Sequence, residues 1–310
     1  MKGMTRVLVA GDANLDLIVR GDVVPRFGQA EQLLDAADLV LGSSAGICAS
    51  GLARLGVDTA LCARVGDDLF GGETRNLLEE AGVDTHDVAA SREPTGLSVV
   101  LSHPQDRAIL TLTGAMAGLE ASDVARAAQR FGATHVHVAS FFLLPRLAGG
   151  LPALFAALRE RGITTSLDTN WDPEERWDGV EACLAVVDVL LPNATEVIAI
   201  AATCGLAHDD AETAALALSA RGPIVVVKAG AEGGFAAVDG TIVRAPGLAV
   251  DVVDTTGAGD SFDAGFLAAW TDGAPLADAV RWAAVAGSLS TQGPGGTGAQ
   301  PTRAEVEAAA

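Results

Sequence analysis

Rhythm is the feature that most constrains this chain: short β-branched runs alternate with longer helix-patterned stretches through most of its length. Residues 6–10, 59–63, 134–138, 164–168, 186–191 and 224–228 are apolar and β-branched, the pattern of strands buried on both faces. Between them, residues 44–55, 69–80, 122–130, 147–161 and 194–202 repeat apolar positions at helical spacing. Such alternation feeds parallel pairing through crossover helices, so the expected class is α/β, a mostly parallel sheet flanked by helices. At 310 residues and 49% hydrophobic, the chain can bury about 75% of its unfolded surface. One main domain over 1–310 with a small appendage is expected.

Two stretches break the rhythm. Residues 15–40 and 95–113 are extended and partly alternating, punctuated by Pro25, Gly28, Pro94, Gly96 and Pro104. They predict four short strands that leave the main sheet and return, a small β-sheet lid. The C-terminal third returns to helices at 259–271 and 276–290, with a last one opened by the capping box Thr302-x-x-Glu305.

Charge removes several classes of partner. Forty acidic against 20 basic residues give a net charge of −20, a field that repels nucleic acid and anionic membranes. An anionic ligand must then be held by local dipoles, a few basic groups and metal ions. Lys2 and Lys228 are the only lysines, which singles out Lys228. Cys48, Cys62, Cys183 and Cys204 form no CxxC pair and read as free thiols in a reducing compartment. No charged-then-apolar segment opens the sequence and no run of 18 apolar residues occurs, so a soluble, cytoplasmic protein is expected.

The chemistry concentrates in Asp254-Thr255-Thr256-Gly257-Ala258-Gly259-Asp260-Ser261. A dinucleotide fingerprint needs a third Gly where this chain has Phe262, and a P-loop needs a Gly-Lys step that the sequence lacks. What remains is a run of backbone amides at the start of an apolar helix, an anion site by dipole and geometry. Asp260 stands at its mouth. A carboxylate beside a phosphate site is unfavourable unless it has a task, such as taking a proton from an attacking hydroxyl; helix capping is the plainer alternative.

This run closely resembles the C-terminal signature of the ribokinase-like (PfkB) carbohydrate kinases, and the resemblance extends over essentially the full length. It implies a Rossmann-like domain with a β-sheet lid over a sugar, Asp260 as catalytic base, and the amides of Gly257, Ala258 and Gly259 as the anion hole. Gly11-Asp12-Ala13-Asn14-Leu15-Asp16 is similar to the family's first strand-end motif, which assigns Asn14 and Asp16 to sugar hydroxyls; a simple Gly-Asp turn is the alternative. Gly42-Ser43-Ser44-Ala45-Gly46 resembles its Gly-Gly segment, and Arg64-Val65-Gly66-Asp67-Asp68 a structural turn. Asn193-Ala194-Thr195-Glu196 matches an element tied to Mg²⁺ and phosphate, presumed to act through water, although Asn-x-x-Glu is also a helix cap. Lys228 and Gly230 fall in the nucleotide-side loop, with Lys228 either a point charge for phosphate or a solvated strand-end residue. Asp254 and Thr256 stand where many members bind a monovalent cation such as K⁺.

The chain also departs from the pattern. Ser43 replaces the second Gly, and Ile47 stands where an Asn usually touches the sugar. Asp168-Thr169-Asn170-Trp171-Asp172-Pro173 lacks the Arg that would suggest an acidic substrate, which favours a neutral sugar. His135 and His137 alternate on one strand face and read as packing rather than a metal pair; Phe141, Phe142, Trp171 and Trp177 read as core more than pocket. The resemblance thus implies an ATP- and Mg²⁺-dependent kinase acting on a neutral pentose or hexose, a homodimer through exposed lid edges. Its rivals are a nucleoside kinase of the same superfamily and a sugar-binding protein without catalysis.

Overall fold

The computed structural model describes residues 5–103, 107–206 and 208–310, so Lys2 and Pro104 lie outside the described residues. The first part of the chain runs β1 (Arg6–Ala10), β2 (Asn14–Gly21), β3 (Leu34–Leu41), α1 (Ser44–Arg54), β4 (Asp58–Gly66), α2 (Leu69–Glu80), β5 (Val88–Ser91), β6 (Gly96–Ser102) and β7 (Arg107–Leu112). The middle follows with α3 (Ala121–Phe131), β8 (His135–Val138), α4 (Pro145–Glu160), β9 (Thr164–Leu167), α5 (Glu181–Leu184), β10 (Val189–Leu190), α6 (Ala194–Thr203) and α7 (Ala211–Ser219). Last come β11 (Ile224–Lys228), β12 (Gly234–Val238), β13 (Thr241–Ala245), α8 (Ala258–Thr271), α9 (Leu276–Ser290) and α10 (Arg303–Ala309).

Nine strands form the main sheet in the order β13-β12-β11-β10-β9-β8-β1-β4-β5. Pairing is parallel from β11 to β5, whereas β12 runs antiparallel to both β11 and β13. Side chains alternate across this sheet, so each strand feeds two cores. In β1, Leu8 and Ala10 join the layer of α3, α4, α6 and α7, whereas Val7 and Val9 join that of α1, α8 and α9. The strand order reverses at β1, which pairs β8 on one side and β4 on the other. In open α/β sheets the crevice at such a reversal, outside the carboxyl ends of the strands, is where ligands bind.

β1 runs almost directly into the second sheet, four strands in the order β3-β2-β6-β7. These strands come from the two rhythm-breaking stretches, as the sequence predicts. The outer strands β3 and β7 are exposed along nearly their whole length. One face of this lid presents Asp16, Ser98 and Thr111 in a cross-strand row, with Ser98 Oγ 3.2 Å from Thr111 Oγ1.

The structure corrects the sequence reading in detail. Of residues 186–191 only Val189–Leu190 pairs as strand, because a turn after α5 bonds Val186 and Val187 N–H back to Cys183 O. The β12–β13 hairpin, α7 and β5 are additions that the sequence reading lacked. All four cysteines are buried and free. Among the described residues no helix is long and apolar enough to cross a membrane.

Candidate active site

The carboxyl ends of β1, β8, β9, β10 and β11 deliver Asp12, Ser140, Asp168, Asn193 and Lys228 to the crevice, and α8 approaches it with its N-terminus. The sequence folds this way at α8 because Gly257 takes the left-handed conformation, φ 70°, as N-cap. A Cβ there would stand 2.7 Å from Gly296 Cα. The helix has no side-chain cap, so Asp260 in its first turn is not a capping residue. A helix start leaves amides without intrahelical acceptors. Ala258 N–H donates to Thr255 O and Ser261 N–H to Gly257 O, leaving the Gly259 and Asp260 amides with no backbone acceptor among the described residues.

Two cavities meet at this loop. One, of about 580 Å³, is mostly apolar and is lined by residues 247–250, Phe262, Ala284 and Gly287, by Lys228 and Gly230, and by Thr255, Ala258 and Gly259 of the loop. The other, of about 620 Å³, lies between the lid and the main sheet and takes Thr256, Gly257 and Asp260 from the same loop. Consecutive loop residues therefore face different cavities, and any group passed from one to the other crosses residues 255–260.

The second cavity gathers the expected acceptor residues. Asn14, Asp16, Ser43 and Ile47 all line it. Asn14 Nδ2 donates to Asp16 Oδ1 at 3.0 Å. Burial, reinforced by Asp12, pushes the Asp16 carboxyl up to about 6. Gly42 does not line the cavity but makes room within it: a Cβ there would stand 2.1 Å from Asp16 Oδ1. Ser43, at φ 68°, caps α1 by accepting from Gly46 N–H. Ile47 is buried, packs against Gly257 and Gly296, and offers an apolar wall.

Asp260 has the most perturbed surroundings of the expected site residues on this side. Burial raises its carboxyl, Asp168 and Asp12 add to the effect, and Lys228 and the Ser44 hydroxyl oppose it, leaving it at about 8. Such a group holds a proton at neutral pH and releases it when a positive or hydrogen-bonding partner arrives, the behaviour of a general base poised near working pH.

The four residues read as ion ligands prove to be tied into the scaffold. Asn193 Oδ1 accepts from Thr195 and Glu196 N–H while Glu196 Oε2 accepts from Asn193 N–H, a complete capping box on α6. Glu196 is buried and pushed up to about 7 by burial and by Asp168. Asp254 Oδ1 accepts from Thr256 N–H and Oγ1–H, and its Oδ2 from Gly295 N–H; burial notwithstanding, these donors hold its carboxyl below the usual range. Among the described residues no group of three or more His, Cys, Asp or Glu could hold a metal ion. Side-chain oxygens already engaged in hydrogen bonds would suit a hydrated Mg²⁺ brought in with a phosphate ligand and not a cage of protein ligands, with Asn193 and Glu196 the residues that would meet it.

Lys228 is neither solvated nor a free point charge. Its Nζ lies 2.7 Å from Asp168 Oδ2 and 3.2 Å from Asp263 Oδ2, with both carboxylates buried. Lys228 also lines the first cavity, its Cδ 3.4 Å and its Nζ 3.9 Å from where a Gly259 Cβ would be. His135 and His137 share Ser166 Oγ, each at 2.8 Å, and burial holds them neutral at about 3 and about 4. Trp171 departs from the core reading: it is 48% exposed, lines the second cavity and meets Trp177 edge to face.

Sequence reasoning missed three side chains here. Asp12 accepts from Ser44 and Ala45 N–H, anchoring α1; its position between Gly11 and Asn14 was the available signal. Arg107 enters the second cavity from β7 and donates to Thr256 Oγ1 at 3.1 Å; its alternation with Ile109 and Thr111 marks the face but not the role. Asp263, one helical turn beyond Asp260, was hidden in an apolar helix.

The pfkB family carbohydrate kinase pattern matches residues 4–303. The chain belongs to the pfkB family of carbohydrate kinases. As a member it is a phosphotransferase with an alcohol acceptor. An ATP-dependent ribose-1-phosphate kinase of Halopiger xanaduensis is 33% identical over 307 residues, 98% of each chain. A putative ribokinase II from E. coli, solved alone and with ATP and Mg²⁺, shares the fold with a TM-score of 0.85 over 98% of both chains at 22% identity. The Arabidopsis thaliana ribokinase complexed with ribose and ATP matches with a TM-score of 0.81 at 25% identity, covering 99% of this chain and 98% of that one.

Proposed function

We propose that this pfkB kinase transfers the γ-phosphoryl group of ATP to a hydroxyl of a neutral pentose or hexose, with Asp260 as general base. The observation that carries the reading is the division of one loop between two cavities, Thr255, Ala258 and Gly259 on one side and Thr256, Gly257 and Asp260 on the other. The apolar cavity suits a nucleotide base and ribose, with Gly230 at its rim and the phosphates directed to the start of α8. The amides of Gly257 and Gly259 supply fixed donors where charge gathers on the phosphoryl oxygens, and that of Ala258 would join them on giving up its 3.3 Å bond to Thr255 O. Mg²⁺ bound with the nucleotide would neutralise phosphate charge, with Asn193 and Glu196 meeting it through water; K⁺ beside Asp254 and Thr256 would reinforce the loop.

On the acceptor side, Asn14 and Asp16 offer the donor and acceptor that vicinal hydroxyls need. The hydroxyl that lies against Asp260 gives up its proton as its oxygen attacks in line, and lid closure keeps water from competing. One observation favours a second reading. Arg107 brings a cation into the acceptor cavity, and the Halopiger relative acts on a sugar phosphate by name, so a phosphorylated sugar is the next candidate. We further propose a cytoplasmic homodimer in which exposed apolar residues of the lid, among them Leu34, Leu39 and Leu110, cover one another; a monomer by sedimentation at micromolar concentration contradicts it.

The test is a panel of acceptors assayed for ADP release: ribose, fructose, ribose 1-phosphate and nucleosides, with Mg²⁺ and with or without K⁺. Turnover on ribose or fructose supports the first reading, selective turnover on ribose 1-phosphate the second. Selective use of nucleosides, or sugar binding without turnover, overturns both.

A further inference from the structure

Beneath the reacting loop lies a buried charge cluster that the proposed mechanism leaves unused. Lys228 Nζ bridges Asp168 and Asp263, two carboxyl groups each 1% exposed, which also lie in hydrogen-bond contact with each other. Two more carboxyl groups crowd the cluster, Asp260 on α8 and Glu196 on α6, and burial with the nearby Asp168 pushes both toward the neutral form. His137 on β8 and Cys48 on α1 also face the cluster, as a neutral imidazole and a neutral thiol. One ammonium cannot balance so many carboxylates in a low-dielectric site, and a carboxyl pair sharing one cation keeps a proton.

The hydrogen bonds say which of the pair holds it. Asp168 accepts from three donors: Lys228 Nζ, Asn170 N–H at 3.2 Å and Asn170 Nδ2 at 3.2 Å. Among the described residues Asp263 accepts from Lys228 alone, and its Oδ1 is buried with no partner. An unpaired carboxylate oxygen in such a place is costly, whereas a protonated one donates to its neighbour. Burial and its neighbours push Asp263 well up, while Lys228 and the surrounding donors hold Asp168 down despite burial.

The cluster also has a telling position. Asn170 lines the acceptor cavity and Lys228 borders the nucleotide cavity. Asp263 shares a helix face with Asp260, one turn away.

We infer that Asp168, Lys228 and Asp263 form a positioning unit beneath Asp260, in which Asp263 is a neutral carboxylic acid donating to Asp168, and that this unit links the two cavities and fixes the base between them. The positioning role rests on Asp260 being the base; the proton on Asp263 does not.

Two measurements test it on the full-length protein. The infrared spectrum of the wild type minus Asp263→Asn at neutral pH should contain a carboxylic-acid C=O band, and its absence overturns the proton assignment. In kinetics, Asp263→Ala should lower kcat by about a hundredfold, as small misplacements of reacting groups do. Asp263→Asn, which can still donate to Asp168 and accept from Lys228, should recover most of that loss. Asp168→Asn should move the acid limb of the kcat/KM profile to lower pH, because it removes a negative neighbour of Asp260, and Lys228→Met should move it higher. Equal losses in Asp263→Ala and Asp263→Asn, or an acid limb unmoved by Asp168→Asn and Lys228→Met, overturn the positioning role. If Asp260→Asn keeps full rate, the base reading falls instead, and the infrared band still decides the proton on Asp263.

Discussion

The two cavities that meet at residues 255–260 are built on opposite principles. The cavity proposed for the nucleotide draws its lining from one continuous fifth of the chain, Lys228 to Thr291, and offers mostly backbone and apolar surface. The acceptor-side cavity collects Asp12, Asn14 and Asp16, then Ser43 and Ile47, then lid residues 98–113, then Asn170 and Trp171. A ligand common to many kinases can be held by amides and apolar walls, which tolerate sequence change. A ligand that must be told from its relatives needs side chains aimed from several directions.

This contrast can be broken by substitution. The largest effect should come from Asp260→Asn, which removes a proton acceptor worth about a hundredfold or more in kcat while thermal unfolding stays close to that of the parent. Gly257→Ala should follow. It forces a left-handed residue and a Cβ into Gly296, at about 1–2 kcal/mol, and since the loop serves both cavities it should lower kcat/KM about tenfold for ATP and acceptor alike. Asp16→Asn should act on one side only, raising the acceptor KM about tenfold through a lost charge-assisted hydrogen bond and leaving the KM for ATP unchanged. An equal rise in both constants would erase the distinction between the cavities.

The rate should also depend on pH. The base works in its ionised form, and burial places its loss of a proton at about 8. kcat/KM should therefore fall as pH drops below about 8 and level off above it, read from initial rates at constant ionic strength. A flat profile from pH 6 to pH 9 would detach the reaction from Asp260.

How much of this was legible in the sequence follows the same division. Period and propensity marked six of the nine main-sheet strands, most helices and the four lid strands, because burial on one or two faces leaves a regular pattern, but not β5, the β12–β13 hairpin or α7. The loop at 257–260 was legible through its glycines, and Asn14 and Asp16 through a strand-end motif. What stayed hidden depends on chain segments far apart in sequence. Lys228 meets Asp168 from 60 residues away and Asp263 from 35, so nothing local distinguishes an ion-pair hub from an exposed lysine. Arg107 reaches Thr256 across 149 residues. Asn193-x-x-Glu196 fits both a helix cap and a metal element in sequence, and only the backbone geometry showed its oxygens engaged in a capping box.

The central claim is that Asp260 stands where a phosphoryl group leaves one cavity and meets a hydroxyl from the other. A crystal structure with a non-hydrolysable ATP analogue, Mg²⁺ and the best acceptor from the panel tests it most directly. The account predicts the terminal phosphate against the amides at the start of α8, and one acceptor hydroxyl within about 3 Å of an Asp260 carboxylate oxygen. An acceptor bound with all its hydroxyls remote from Asp260, or a terminal phosphate seated away from α8, would contradict it.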